Sequence, residues 1–165
     1  MTEYTLDAIR PKDRTAIIDI FNHYIEHSFA AYPAEPVPYG MFDHLCSLAD
    51  GYPSCVVRDA AGTAVGFGML HSHNPMPAFA RTAEVTYFIR TDMTGQGLGS
   101  RILNHLETGA QERGIACILA SISSKNSGSI RFHAAHGFTE CGRFRNIGEK
   151  NGIIFDTVWM EKEIG

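Results

Sequence analysis

Positive charge is in short supply in this chain. Its 165 residues carry 14 Lys and Arg against 18 Asp and Glu, a formal net charge of −4. That balance argues against nucleic acid or an anionic membrane as the main partner. Long apolar runs are missing too: none approaches the roughly 20 residues that cross a bilayer. Met1-Thr2-Glu3-Tyr4 has none of the basic and apolar character of a secretion signal. The cysteines, Cys46, Cys55, Cys117 and Cys141, make no C-x-x-C pair and show no zinc-ligand spacing. A disulfide scaffold and a structural zinc are set aside, and a cytoplasmic protein with reduced thiols is the expectation. No cysteine has a base at a recognisable spacing, which leaves a covalent thiol route without support. Repeats, low-complexity tracts and linkers are absent, so residues 1–165 read as a single domain. With 44% hydrophobic residues it can bury a core without staples.

What is present alternates between strand and helix patterns. Leu6 to Arg10 reads as a first strand stopped by Pro11. Asp13 is placed to cap a helix running to about Glu26, with an apolar stripe of Ile17, Phe21, Tyr24 and Ile25 and with Ile18 and Ile20 beside it. Ser28 to Pro38 reads as a loop with exposed aromatics or as a broken helix, and a second helix follows over about Tyr39 to Ala49. Ser54–Arg58 and Ala64–His71 flank the turn Asp59-Ala60-Ala61-Gly62 as a hairpin. Ile115 to Ile122 is a continuous apolar run suited to a strand buried on both faces. A short helix holds Ile130, Phe132 and His133 and ends at Gly137. Strands over Phe138–Phe144 and Ile153–Met160 complete the chain. The order β, α, α, β, β, β, α, β, α, β, β predicts an α/β (α+β) fold. In it a mixed sheet is flanked by helices, parallel around the crossover and antiparallel in the hairpins.

The segment from Thr82 to Gly114 carries the most chemistry. Thr82–Ile89 is β-branched and aromatic, hence extended, and it bears a carboxylate, Glu84. Thr94-Gly95-Gln96-Gly97-Leu98-Gly99-Ser100 follows, then Ile102, Leu103, Leu106 and Ala110 at helical spacing. A glycine-rich turn opening onto a helix presents unpaired N–H groups to an anion. Several readings compete. A P-loop needs Lys after its last glycine, and Ser100-Arg101 stands there instead. A dinucleotide fingerprint spaces its glycines G-x-G-x-x-G, unlike Gly95-x-Gly97-x-Gly99. The pyrophosphate loop of acetyl-CoA-dependent acetyltransferases, Arg/Gln-x-x-Gly-x-Gly/Ala, matches at Gly97-Leu98-Gly99 and departs at Thr94. A plain tight turn is the remaining alternative.

The element order and the motifs together resemble the GCN5-related N-acetyltransferase (GNAT) superfamily, and within it the phosphinothricin / methionine-sulfoximine acetyltransferase group. The resemblance spans nearly the whole chain. It rests on Ile9-Arg10-Pro11 with Phe21-Asn22-His23-Tyr24-Ile25-Glu26, and on Glu84 thirteen positions before Gly97. It also rests on Asn126, Ser129 and Arg131-Phe132-His133-Ala134-Ala135-His136-Gly137-Phe138, and on Gly148-x-Lys150-x-Gly152 followed by Asp156. It implies a GNAT-like acyl-CoA N-acyltransferase fold and transfer of acetyl from acetyl-CoA to the primary amine of a small amino-acid-like acceptor. Transfer would be direct, in a ternary complex, and the protein a homodimer. A GNAT enzyme for a polyamine, aminoglycoside or peptide N-terminus is the rival within the class. A CoA-binding sensor without catalysis is the rival outside it. Where the group has Arg-x-Ala-Tyr before the catalytic strand, this chain has Met76-Pro77-Ala78-Phe79.

The resemblance also assigns roles. Glu84 would be the general base, acting through a water, because an amine must lose a proton before it attacks a thioester. Tyr87, Phe88 and Ile89 lie on the strand whose free N–H groups meet the carrier and the thioester oxygen, the roles of Phe88 and Ile89 being through their backbones. Thr94, Gly95, Gln96, Gly97, Leu98, Gly99 and Ser100 would hold the pyrophosphate. Asn126, with Ser129, would bind the pantetheine arm, Asn126 serving also as a helix cap. His133 stands where relatives have a Tyr that protonates the leaving thiolate; a packed histidine is the alternative reading. Phe29, Tyr32, Phe79 and Arg81 are the acceptor-pocket candidates. His71 and His73 fall on one face if their strand continues, but no acidic or thiol partner is spaced to join them, so no metal is assigned.

Overall fold

The computed structural model describes residues 3–165. Seven strands form one mixed sheet in the order β1-β2-β3-β4-β5-β7-β6. The strands are β1 (Thr5–Asp7), β2 (Ser54–Arg58), β3 (Ala64–Ser72), β4 (Thr82–Ile89), β5 (Cys117–Ser123), β6 (Thr139–Lys150) and β7 (Ile153–Glu163). The helices are α1 (Arg14–His27), α2 (Met41–Leu48), α3 (Leu98–Glu112) and α4 (Ser127–Ala135). Only β4 and β5 pair in parallel, joined by the α3 crossover; every other pair is antiparallel. Fold class and element order are as the sequence predicts.

Alternation along β3 explains the two-sided core. Phe67 and Met69 face α1 and α2, where Ile17, Ile18, Ile20 and Phe42 bury against them. Leu70 faces the α3 side, where Ile102, Leu103, Leu106 and Ala110 present the stripe read from the sequence. In α1, Ile17, Ile18, Ile20 and Ile25 are buried, whereas Phe21 and Tyr24 are only half-buried. The expected β5 burial on both faces is corrected. Ile118, Ala120 and Ile122 are buried, but Cys117, Leu119 and Ser121 alternate with them as half-buried residues, because only the first face packs into the core that holds α3.

Several details differ from expectation, among them β7, which runs on past Met160 to Glu163. β1 is Thr5–Asp7 rather than Leu6–Arg10, because the chain turns into a 3-10 turn at Pro11–Asp13. β6 runs past Phe144 to Lys150, through an irregularity between Phe144 and Gly148. Asp13 does not cap α1 with its side chain. Its carboxylate accepts the Arg10 N–H at 2.8 Å and both terminal nitrogens of Arg58 at 2.8 and 2.9 Å. Burial alone would raise the Asp13 carboxyl pKa, but the Arg58 fork and the Arg10 amide bring it below the usual range.

The feature that positions the site is a fork in the sheet. β4 and β5 pair only at Thr82–Cys117, Ala83–Ile118 and Glu84–Leu119. Beyond Glu84, β4 stays with β3 as far as Ile89, while β5 stays with β7 as far as Ser123.

Candidate functional site

The fork opens a cavity of about 1010 Å³ between the second half of β4, the second half of β5, the α3 turn and the start of α4. Glu84 lines it at the apex. The Arg90 N–H donates to Val65 of β3 at 2.8 Å. Strand alternation then directs the Phe88 backbone toward β3 as well, and the Val85, Tyr87 and Ile89 backbones toward the open edge. The expectation of a free Phe88 amide is corrected on that ground. Phe88 contributes its ring to the cavity wall instead, and the open edge belongs to Tyr87 and Ile89. The Ile89 carbonyl there accepts the Tyr24 hydroxyl at 2.6 Å.

At the other end of the cavity α3 begins. Gly97 is its N-cap with φ +78°, a left-handed conformation that L side chains avoid. The N–H groups of Leu98, Gly99 and Ser100 belong to the first helical turn and have no helical acceptor. Gly99 has a different reason to be glycine: a Cβ there would come within 3.2 Å of the Phe132 ring. These amides face the same cavity as the open strand edge, an arrangement able to receive an anionic group. Thr94, Gly95, Gly97, Leu98, Gly99 and Ser100 all line the cavity. Gln96 does not; its side-chain oxygen accepts the Tyr4 hydroxyl. The Thr94 hydroxyl donates to the Thr91 carbonyl at 2.8 Å and plays a local turn role.

Two imidazoles that line the cavity have fixed tautomers. The His136 Nδ1–H donates to the Phe132 carbonyl at 2.7 Å, which leaves Nε2 facing the Ser100 hydroxyl at 2.7 Å. The His133 Nδ1–H donates to the Ser129 carbonyl at 2.7 Å, and Nε2 accepts the Tyr87 hydroxyl at 2.7 Å. Burial holds the His133 pKa below its ordinary value and pushes the Tyr87 phenol well up, so both are neutral near pH 7. Neutral His133 thus has no N–H left for a thiolate, and a proton from it would have to pass through Tyr87. Asn126 caps α4, accepting the Ser129 N–H at 3.2 Å, and both residues line the cavity.

The depressed His133 pKa has a consequence for stability with a definite sign. Well above pH 6.5 the ring is neutral whether the chain is folded or unfolded, and it contributes nothing. As pH falls through 6.5 toward the lower folded value, the unfolded chain takes up the proton first, and stability is lost. The melting temperature of the wild type should therefore fall more steeply from pH 7 to pH 5 than that of His133→Asn. Thermal melts at several pH values check it, and equal slopes would refute the linkage.

Glu84 Oε1 lies 2.8 Å from His73 Nδ1. His73 sits edge-on to Phe79 and Trp159, with ring centroids 6.1 and 6.2 Å away. Beyond Glu84 the wall is aromatic. The Tyr32 ring stacks on Phe155, centroids 5.6 Å apart and planes 2° from parallel, while Phe21, Tyr24 and Trp159 complete it. Of the acceptor candidates, Tyr32 alone lines the cavity. Phe29 packs behind it against Phe155 at 5.9 Å. Phe79 is exposed beside His73. Arg81 is exposed, and its carbonyl accepts the Ala116 and Cys117 amides. Trp159, His136 and His71 line the cavity without having been placed there by the sequence. Among the described residues no group of three His, Cys, Asp or Glu is arranged to hold a metal ion.

A family model described as "Acetyltransferase (GNAT) family" matches residues 17–138. The chain belongs to the GNAT acetyltransferase family. It is an acetyltransferase by that membership, and its donor is acetyl-CoA. An L-methionine sulfoximine/L-methionine sulfone acetyltransferase of Pseudomonas aeruginosa is 31% identical, over 90% of this chain and 88% of the relative. A phosphinothricin N-acetyltransferase of Streptomyces viridochromogenes is 32% identical, over 94% and 86%. A putative acetyltransferase from Salmonella typhimurium, solved with its cofactor acetyl-CoA, superposes with a TM-score of 0.90 at 26% identity. That match covers 98% of this chain and 94% of the other.

Proposed function

We propose that this GNAT enzyme moves the acetyl group of acetyl-CoA to the primary amine of a small amino-acid-like acceptor, by direct transfer in a ternary complex. The observation that carries the reading is the position of Glu84. It lies at the apex of the fork, in one cavity with the open Tyr87–Ile89 edge and the α3 N-terminal amides. In this reading the amides of Leu98, Gly99 and Ser100 hold the diphosphate, with Asn126 and Ser129 on the pantetheine side. Bound there, acetyl-CoA supplies an acetyl thioester. The open-edge amides of Tyr87 and Ile89 orient its carbonyl. Glu84, with Oε1 held by His73, takes the amine proton through a water. The nitrogen forms the new C–N bond as the C–S bond breaks, and the departing thiolate takes a proton from solvent, which balances the one passed to Glu84. The acceptor amine must be uncharged at the moment of attack, and a carboxylate beside an aromatic wall both draws the ammonium in and deprotonates it.

Names borne by the relatives make phosphinothricin and methionine sulfoximine the first acceptors to try. Incubation with acetyl-CoA and an amine panel should release free thiol only when both are present. Intact-protein mass spectra should show no acetyl adduct before the amine is added. An acetylated enzyme formed with acetyl-CoA alone would exclude direct transfer.

A further inference from the structure

We propose that the acceptor's carboxyl group is absent or masked: the site takes an arylalkylamine or an amino-acid amide in preference to a free amino acid. This rests on the acetyl-transfer reading above and concerns the substrate class of the same site. Glu84 is the only formally charged side chain among the described residues that line the cavity. No Lys or Arg side chain is among the described lining residues. The Lys150 ammonium donates to the carbonyls of Ile25, Ser28 and Ala31 at 2.6, 2.7 and 2.8 Å. Arg58 is held by Asp13 and Asp7, and Arg90 by Asp92. The Arg81 side chain is exposed and lies outside the lining. Met76, in the loop before β4, is exposed and uncharged.

A free amino acid would therefore bring its carboxylate to within a few ångströms of Glu84, with no Lys or Arg in the cavity lining to offset it and with His73 already bonded to Glu84 Oε1. At an effective dielectric near 20, two like charges about 5 Å apart repel by an amount equal to two to three orders of magnitude in an equilibrium constant. An amide or a bare alkyl chain avoids that repulsion. The walls suit such a body: Tyr32, Phe21, Phe88 and Trp159 offer ring faces and edges. The polar groups on the acceptor side, the Ser121 hydroxyl and the His71 imidazole, offer donors and acceptors that suit a carboxamide.

Thiol release at saturating acetyl-CoA tests the proposal on the whole chain with matched pairs: phenylalaninamide against phenylalanine, and methioninamide against methionine. Phenethylamine and methionine sulfoximine are run beside them. Phenethylamine is no less basic than phenylalanine, so it separates the effect of the carboxylate from that of amine basicity. The expected result is a kcat/KM at least about 100-fold higher for the amides and phenethylamine than for the free acids. Free acids turned over as well as or better than their amides would overturn this inference and leave acetyl transfer standing. No turnover of any amine would overturn both readings.

Discussion

Glu84→Gln lowers kcat by about two to four orders of magnitude, the usual worth of a positioned general base, while acetyl-CoA binds as in the wild type. The substitution is almost isosteric. The amide oxygen can still accept from His73 Nδ1, which lies 2.8 Å from Glu84 Oε1, so the side chain stays in place and only its basicity goes. The groups proposed to hold the carrier are elsewhere, in backbone amides of β4 and the first turn of α3, and a change at the apex does not touch them. A structural role for Glu84 predicts the opposite pattern: lower thermal stability with activity kept in the folded fraction. Steady-state rates, an acetyl-CoA titration and a melt on the same preparation separate the two. Turnover within a few-fold of the wild type, with an unchanged melt, would remove Glu84 as the base. Any surviving activity should also lose its dependence on a basic group in the acid limb of the pH–rate profile.

The parts of this site that were legible in the sequence are those set by local rules. Strand alternation over Thr82–Ile89, the glycines at 95, 97 and 99 and the helical spacing of Ile102, Leu103 and Leu106 are each decided within a few residues. The cavity position of Glu84 and the free amides at the start of α3 follow from them. What the sequence hid depends on where distant segments meet. Trp159 reaches the cavity because β7 lies beside β5, a pairing of segments some forty residues apart. His136 is one ring among several near Gly137 until α4 brings it against Ser100. Phe29 and Tyr32 look equivalent as loop aromatics, yet Phe155 separates them. Tyr32 stacks on its face and lines the cavity, while Phe29 packs at its edge. The role of Phe88 turned on parity. One residue along a strand changes which neighbour its amide faces, and only the Arg90–Val65 bond fixes that count.

Lys150→Met should destabilise the fold by about 3–5 kcal/mol, the cost typical of removing one partner from a buried charged network. Lys150 is 3% exposed, and each of its three N–H bonds ends on a backbone carbonyl: Ile25 in the last turn of α1, then Ser28 and Ala31 in the loop that follows. Burial pushes the ammonium pKa below its ordinary value. The three carbonyls, at the negative end of a helix, favour the charged form in return. Methionine fills the same tunnel and pairs with none of them, leaving three carbonyls without a donor. Arg should not rescue the fold, because a flat guanidinium fork cannot converge on three acceptors as an ammonium does. For a chain of this size the loss corresponds to a fall of roughly 10 °C or more in melting temperature. The effect should also reach the acceptor side of the site. Lys150 ties the β6–β7 hairpin to the loop that carries Ala31 and Tyr32, both in the cavity wall. In the folded variant, KM for the amine should rise several-fold, and KM for acetyl-CoA should stay unchanged. Urea unfolding of Lys150→Met within 1 kcal/mol of the wild type would show that the hairpin and the loop hold together without this bond set.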